Sequence, residues 1–341
     1  MINIKTSNVL ITGAAGFIGS QLANSLVDSG MPAENLMLVD NLEYGHLHNL
    51  NQRARGSFIK ADCLGLKLGG FTPDVIFHFA GISSLPECES NPSKAYQYNV
   101  TAAVYMLDMA RAHGARMMFA STSAIYERDP RATYTEDIQE KNFPKLVYPQ
   151  TKLAAELACR TYIENYNLKV CICRFANVFG AHQDFTRPNP PFTSYLIKQL
   201  LSGDDIILYN DDPETLRDYI YVEDLLMLIT KAIEFELCGA YNITSSKCYS
   251  TIDIMRSLEN VFKKKIQYIK GDPMKFWDKY PQLKSGKKFL SPDVVREEIF
   301  KRSNCSNIKL LKELNLEGYK FIEIEEGLLK IVKFQERFNN E

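Results

Sequence analysis

Residues 9–19 read VLITGAAGFIG, and this run restricts the fold more than any other part of the chain. A short apolar strand passes without pause into glycines at 13, 16 and 19, and a helical pattern follows from about 17 to 29. Gly13 lets the chain turn sharply out of the strand, Gly16 lets backbone approach a pyrophosphate, and Gly19 lets helix and strand pack closely. A phosphate held there meets free N–H groups and the positive end of the helix dipole. The spacing, GxxGxxG, is one residue longer than the commonest dinucleotide pattern, and a glycine trio alone also suits an ordinary tight turn. The second strand narrows the choice. It ends in LMLVD, so Asp40 stands about 20 residues past the last glycine, where a carboxylate binds a ribose diol. The same charge repels a 2′-phosphate, which favours NAD over NADP.

Apolar, β-branched runs at 9–12, 36–40, 58–62, 75–80, 117–121 and 170–175 alternate with helical patterns near 17–29, 93–113 and 149–166. Continuous apolar strands separated by helices predict a parallel sheet covered on both faces. After about 180 the rhythm changes. HQDFTRPNPPF (182–192) reads as a loop, followed by strands at 206–209, 240–243 and 266–269 and helices near 222–235, 252–262, 305–314 and 323–337. The stretch 270–292 reads as irregular. No internal repeat or low-complexity segment is present.

The 341 residues are 45% hydrophobic and 24% charged, with a formal net charge of −1. Nothing in that balance points to nucleic acid or an anionic membrane surface. No run approaches the ~18–20 apolar residues of a membrane span. The eight cysteines form no CxxC pair and no Cys/His grouping with zinc spacing, so they read as reduced, mostly buried thiols of a cytoplasmic protein, and no metal site is expected.

The stretch VYPQTKLAAE (147–156) places Tyr148 and Lys152 four residues apart around Pro149. Proline suits a first helical turn and pushes the residue before it out of helical geometry, so Tyr148 is expected at the mouth of a helix with Lys152 one turn on. Just upstream, FASTSAIY (119–126) brings Thr122 and Ser123 to the carboxyl edge of the sheet, where ligands bind in doubly wound folds. A free phenol has a pKa near 10, and bringing it to about 7 takes roughly 4 kcal/mol of phenolate stabilisation. A neighbouring ammonium and a positive nicotinamide ring supply that order of energy in a partly dry site. Thr122 can then hydrogen-bond the oxygen being oxidised. A Tyr-x-x-x-Lys taken alone is common and often accidental.

Taken in order, TGAAGFIG, HFAG (78–81), Asn99 in YNVTAA, STSAIY, YPQTK, RFANVFG (174–180) and RDYIYVEDL (217–225) resemble the extended short-chain dehydrogenase/reductase family, in its nucleotide-sugar epimerase/dehydratase branch. The resemblance is strong over about residues 8–240. It implies an α/β fold: a Rossmann-type doubly wound parallel sheet over 1–180, with part of 215–245 returning to it, and a smaller interleaved C-terminal α/β domain over 181–341 for the nucleotide sugar. It implies tightly bound NAD held by Gly13, Ala15, Gly16, Phe17, Ile18, Asp40, Asn41, Phe79, Ala80, Gly81 and Lys152, with Asp62 and Cys63 at the adenine. Asn99 is to brace the active-site helix. Ser83, Asn177, Arg217 and Arg296 are to hold the substrate, Asn177 and Arg217 at its diphosphate. Family members commonly dimerise through two helices per subunit, which here are 93–113 and 149–166, with Leu153, Ala154, Leu157, Ala158 and Tyr162 suited to such a seam or to the core.

The branch divides by the residues just after the threonine. The 4,6-dehydratases carry Asp-Glu there, and a decarboxylase carries Glu two residues on; here the places hold Ser123 and Ala124. A methyl group moves no proton and a serine hydroxyl is a poor acid, so epimerisation, at the sugar C4, remains. Glu87 in SSLPECE (83–89) leaves a non-standard dehydratase as the alternative, with a keto-sugar reductase behind it. Two departures stand out. Glu127 replaces the glycine usual after the tyrosine of STSAIY, and SPDVVRE (291–297) lacks the arginine that many members add at the diphosphate, leaving Arg296 or Lys288 to supply it.

Overall fold

The computed structural model describes residues 2–126, 131–137, 143–183, 190–278, 280–283 and 290–338. In chain order the strands are β1 (Val9–Thr12), β2 (Leu36–Asp40), β3 (Phe58–Lys60), β4 (Val75–His78), β5 (Arg116–Thr122), β6 (Val170–Phe175), β7 (Asn177–Phe179), β8 (Ile207–Leu208), β9 (Arg217–Tyr221), β10 (Gly239–Ile243), β11 (Cys248–Tyr249) and β12 (Ile269–Lys270). Seven of them form one parallel sheet in the order β10-β6-β5-β4-β1-β2-β3. This is the doubly wound, Rossmann-type arrangement, and its strand order reverses between β1 and β4.

Alternation along each strand divides the core. Val9 and Ile11, Val75 and Phe77, and Cys171 and Cys173 face one side, where helices Phe17–Asp28 and Val222–Glu234 pack. Leu10, Ile76, Met117, Phe119 and Ile172 face the other, under helices Ala102–His113 and Val147–Tyr166. Cys171 and Cys173 share a face, their sulfurs 3.6 Å apart, and all eight cysteines are unpaired. On the outer helix Leu153, Ala158 and Tyr162 pack inward, while Leu157 and Tyr166 are exposed.

The second half contributes to both layers. β10 completes the central sheet beside β6, whereas β7, β9 and β11 form a small sheet of their own and β8 pairs with β12. Several elements escape the sequence pattern, three helices among them. A helix at Leu85–Ser90 begins inside SSLPECE, and it and helices Phe192–Ser202 and Pro292–Phe300 occupy ground without a helical expectation. The strand expected at 266–269 lies further on, at Ile269–Lys270. Short strands at Asn177–Phe179 and Arg217–Tyr221 sit inside the motifs RFANVFG and RDYIYVEDL. Among the described residues no helix is long and apolar enough to cross a membrane, and no group of His, Cys, Asp or Glu has the arrangement of a metal site.

Candidate active site

All the central strands end on one edge, and a cavity of about 500 Å³ opens there. At one end lies the glycine turn. Gly13 takes φ +70°, and a Cβ on it would come within 2.7 Å of the Ala80 nitrogen, so the turn closes against the exit of β4 only because the side chain is missing. Gly16 is the N-cap of helix Phe17–Asp28, and no side chain covers that N-terminus, which leaves its N–H groups to a ligand. Asp40 ends β2, is 8% exposed, and accepts the amides of Ala15 at 3.0 Å and Leu42 at 2.8 Å. Burial holds its carboxyl above the usual range, against the pull of those two amides. The carboxylate keeps further lone pairs for a hydroxyl donor.

The opposite wall is the start of helix Val147–Tyr166. The helix begins two residues before Pro149, so Tyr148 lies inside the first turn rather than ahead of it. Pro149 is tolerated at the third position because first-turn amides have no partner within the helix, and Tyr148 takes helical geometry against the bias of a residue before proline. Lys152 is 5% exposed. Its ammonium donates to the Ala120 carbonyl at 2.8 Å and lies 5.1 Å from the centre of the Phe119 ring, and burial pulls its pKa down to about 8. Thr122 and Ser123 stand at the end of β5 on the same wall, and the Thr122 hydroxyl accepts the Ala124 amide at 3.1 Å.

Behind this wall sits Asn99, 1% exposed, on a π-type turn at Gln97–Thr101. Its amide nitrogen donates to the Thr151 hydroxyl at 2.9 Å, and that hydroxyl donates to the Tyr148 carbonyl at 2.7 Å. Its oxygen accepts the Ile82 amide at 2.8 Å. Gly81, at φ +152°, leaves room for it: a Cβ there would sit 2.7 Å from the Asn99 oxygen. Deeper still, Arg174 and Glu156 form an ion pair at 2.7 Å with neither side chain exposed; Glu156 also accepts the Ser121 hydroxyl at 2.5 Å, and Arg174 donates to Tyr126 at 2.6 Å.

The cavity brings together Gly13, Gly16, Phe17, Ile18, Asp40, Asn41, Asp62, Cys63, Phe79, Ala80, Gly81, Ser83, Thr122, Ser123, Tyr148, Lys152, Asn177 and Arg217. Ala15 and Asn99 stand behind its surface. Arg296 does not reach it: helix Pro292–Phe300 turns that side chain to a separate shallow depression beside Asp293, Glu297 and Phe300. Lys288 and Glu127 lie outside the described residues. Glu87 is not among the lining residues, and its carboxylate accepts the Tyr280 hydroxyl at 3.5 Å.

The structure adds residues that sequence reasoning missed. Tyr98 lines the cavity and donates to Asp62 at 3.0 Å. Lys301 and Arg302 line it beside Arg217. Arg217 donates to the Glu298 carbonyl at 2.5 Å and lies 3.6 Å from the Glu298 carboxylate, which also pairs with Lys301 at 2.6 Å. Among the described residues nothing pairs with the Arg302 guanidinium. A Lys-Arg pair in a coil carries no periodicity, so nothing in the sequence marks it.

A family model described as the NAD dependent epimerase/dehydratase family matches residues 9–244. The chain belongs to that family. Its cofactor is NAD, and the bare helix N-terminus, the side-chain-free turn at Gly13 and the buried Asp40 suit a dinucleotide. The chain is 29% identical over 289 residues to a protein of Bacillus subtilis (strain 168) named uncharacterized UDP-glucose epimerase YtcB, covering 79% of this chain and 88% of that one. A UDP-N-acetylglucosamine 4-epimerase from Methanobrevibacter ruminantium M1, solved with UDP-N-acetylmuramic acid, superposes with a TM-score of 0.81 at 25% identity, covering 97% of this chain and 99% of the other. The family also holds dehydratases. An NAD-dependent NDP-hexosamine 5,6-dehydratase, TunA, shares the fold with a TM-score of 0.79 at 21% identity over 97% and 98% of the two chains.

Proposed function

We propose that this protein is an NAD-dependent nucleotide-sugar epimerase that inverts C4 through a transient 4-keto sugar, with NAD tightly held and regenerated in each cycle. The observation that carries the reading is the make-up of the wall around Tyr148. Tyr148, Lys152 and Thr122 line one cavity with the glycine turn and Asp40, and the carboxylates lining that cavity among the described residues are Asp40, Glu43, Asp62 and Glu298. None of these belongs to the Thr122–Ala124 segment, so the groups an elimination needs are not supplied there. Glu87, the base available to a non-standard dehydratase, is outside the lining. The carboxylate of Asp40 disfavours the NADP of a keto-sugar reductase.

When bound, NAD supplies reversible oxidation of the sugar alcohol. Tyr148 takes the hydroxyl proton, Thr122 holds the same oxygen by a hydrogen bond, and the Lys152 ammonium stabilises the phenolate. The ketone turns over in the cavity and Tyr148 returns the proton to the oxygen of the inverted centre. Arg217 and Arg302 grip the diphosphate, where guanidinium groups bind phosphate oxygens bidentately. Arg302 takes the place that the sequence leaves to Arg296 or Lys288. The partner expected is a nucleotide-diphosphate sugar, and a homodimer through the helices expected at 93–113 and 149–166 belongs to the same reading, with Leu157 and Tyr166 outward on the second helix.

A screen of nucleotide sugars, with NMR to assign product stereochemistry, tests this reading. The expected product is the C4 epimer, with Tyr148→Phe slower by about 10²–10⁴. A 4-keto-6-deoxy product, or full activity in Tyr148→Phe, overturns it.

A further inference from the structure

The turn that carries Tyr148 has few constraints of its own. Its N-cap is Leu146, which offers no side-chain acceptor, and Pro149 has no N–H. The free amides of such a start take their partners from outside the helix's own ladder, from other side chains or from water. The structure supplies one from another element. The Glu89 carboxylate, on helix Leu85–Ser90, accepts the Val147 amide at 2.5 Å across 58 residues of chain. Val147 is the residue immediately before Tyr148.

Helix Leu85–Ser90 is itself held in place. Cys88 is fully buried with Ile82 and Ala95, and Val147 and Tyr148 pack against that cluster. Leu85 packs against a second cluster containing Leu146 and Trp277. The carboxylate is therefore presented from a fixed support, while the opposite side of the same turn is held through Thr151 and the Tyr148 carbonyl. The two attachments bracket the tyrosine.

We propose that Glu89 is a positioning residue for the reaction: it caps the tyrosine-bearing turn from outside and so fixes the phenol against the sugar oxygen. This rests on the reading of Tyr148 as the proton-handling group. A misplaced base lowers turnover more than binding, because the nucleotide and diphosphate contacts lie elsewhere in the cavity.

The test compares Glu89→Ala, Glu89→Asp and Glu89→Gln in the NAD-loaded enzyme. Gln keeps an acceptor oxygen at the same reach, and Asp keeps the charge but falls one methylene short. Hydrogen exchange of the amides at 147, 148, 150 and 151 needs no substrate. Ala and Asp are expected to exchange there at least tenfold faster than wild type with the rest of helix Val147–Tyr166 unchanged, and Gln to stay within about threefold. With the nucleotide sugar found by the screen, Ala and Asp are expected to lose about tenfold in kcat with KM within about twofold, and Gln to keep most activity. If Ala does not fold, Asp against Gln makes the same comparison. Equal exchange in all variants, kcat unchanged in Asp, or Gln as slow as Asp overturns the proposal. Activity surviving in Tyr148→Phe removes the functional reading instead, and the exchange result separates the two failures.

Discussion

Lys152 and Glu156 stand one helical turn apart and hold consecutive residues of β5: Lys152 donates to the Ala120 carbonyl at 2.8 Å, and Glu156 accepts the Ser121 hydroxyl at 2.5 Å. The next residue is Thr122. The helix that presents Tyr148 thus also sets the register of the strand end beside it, and the two elements of this wall are aligned through buried polar contacts rather than through loops.

The anchor of that alignment is the Glu156–Arg174 pair, and removing one partner leaves the other charge buried. Glu156→Gln or Arg174→Met is expected to cost about 3–5 kcal/mol. The double variant Glu156→Leu/Arg174→Met is expected to cost less than either single change, because no lone charge remains. Urea denaturation of the three proteins gives the comparison; singles within about 1 kcal/mol of wild type would show that solvent reaches the pair.

Gly13→Ala is expected to damage cofactor retention and fold together. A methyl group would lie 2.7 Å from backbone nitrogen and would sit at φ +70°, so the strain is about 1–2 kcal/mol before any displacement of the β4 exit. NAD released by acid from the purified variant should fall well below one per chain, with a lowered Tm. Full NAD content would mean that the turn can move aside.

Arg302→Ala is expected to weaken binding of UDP, used as the diphosphate probe, by about tenfold or more, on the scale of about 1.5–3 kcal/mol for a charged hydrogen bond. Arg217→Ala should do at least as much, and Arg296→Ala should stay within twofold. Calorimetric titration ranks the three. An effect at Arg296 equal to that at Arg302 would contradict the geometry of helix Pro292–Phe300.

His78 gives a pH dependence with a definite sign. The ring is 1% exposed, bonded to the Thr12 hydroxyl at 2.7 Å, and its pKa is pushed from 6.5 to about 3, first by burial and then by the Lys152 charge. Between about pH 6.5 and 3 the unfolded chain binds a proton that the folded one refuses, so stability falls as pH falls, at up to about 1.4 kcal/mol per pH unit. His78→Asn should lose less stability than wild type between pH 7 and pH 5 in urea titrations. Parallel losses would assign the acid sensitivity elsewhere.

Much of this is legible in the chain because it is local. The glycine turn, Asp40 and the six leading strands follow from strand–turn–helix patterns within a few tens of residues, and the Rossmann-type sheet follows from their alternation. Three things are not legible. The sequence puts Tyr148 ahead of its helix because proline biases the residue before it away from helical geometry, a local bias that the packing of Val147 and Tyr148 against Ile82, Cys88 and Ala95 overrides. The helices at Leu85–Ser90 and Phe192–Ser202 hide in proline-containing stretches, where proline reads as a breaker although both helices place it at their start or just before it. Arg296 draws attention ahead of Arg302 because which of two nearby cations faces a cavity depends on the tertiary placement of a helix end, which has no local signature. Glu89 belongs to the same class, since its partner is 58 residues away.

The central sheet is finished by a strand that arrives late. Until β10 emerges from the ribosome, β6 is an open edge of apolar residues, with Arg174 and Tyr126 still lacking the Asn242 end of their hydrogen-bond chain. Nascent chains that have not yet exposed β10 therefore carry an unpaired strand border, open to non-native pairing until that strand docks.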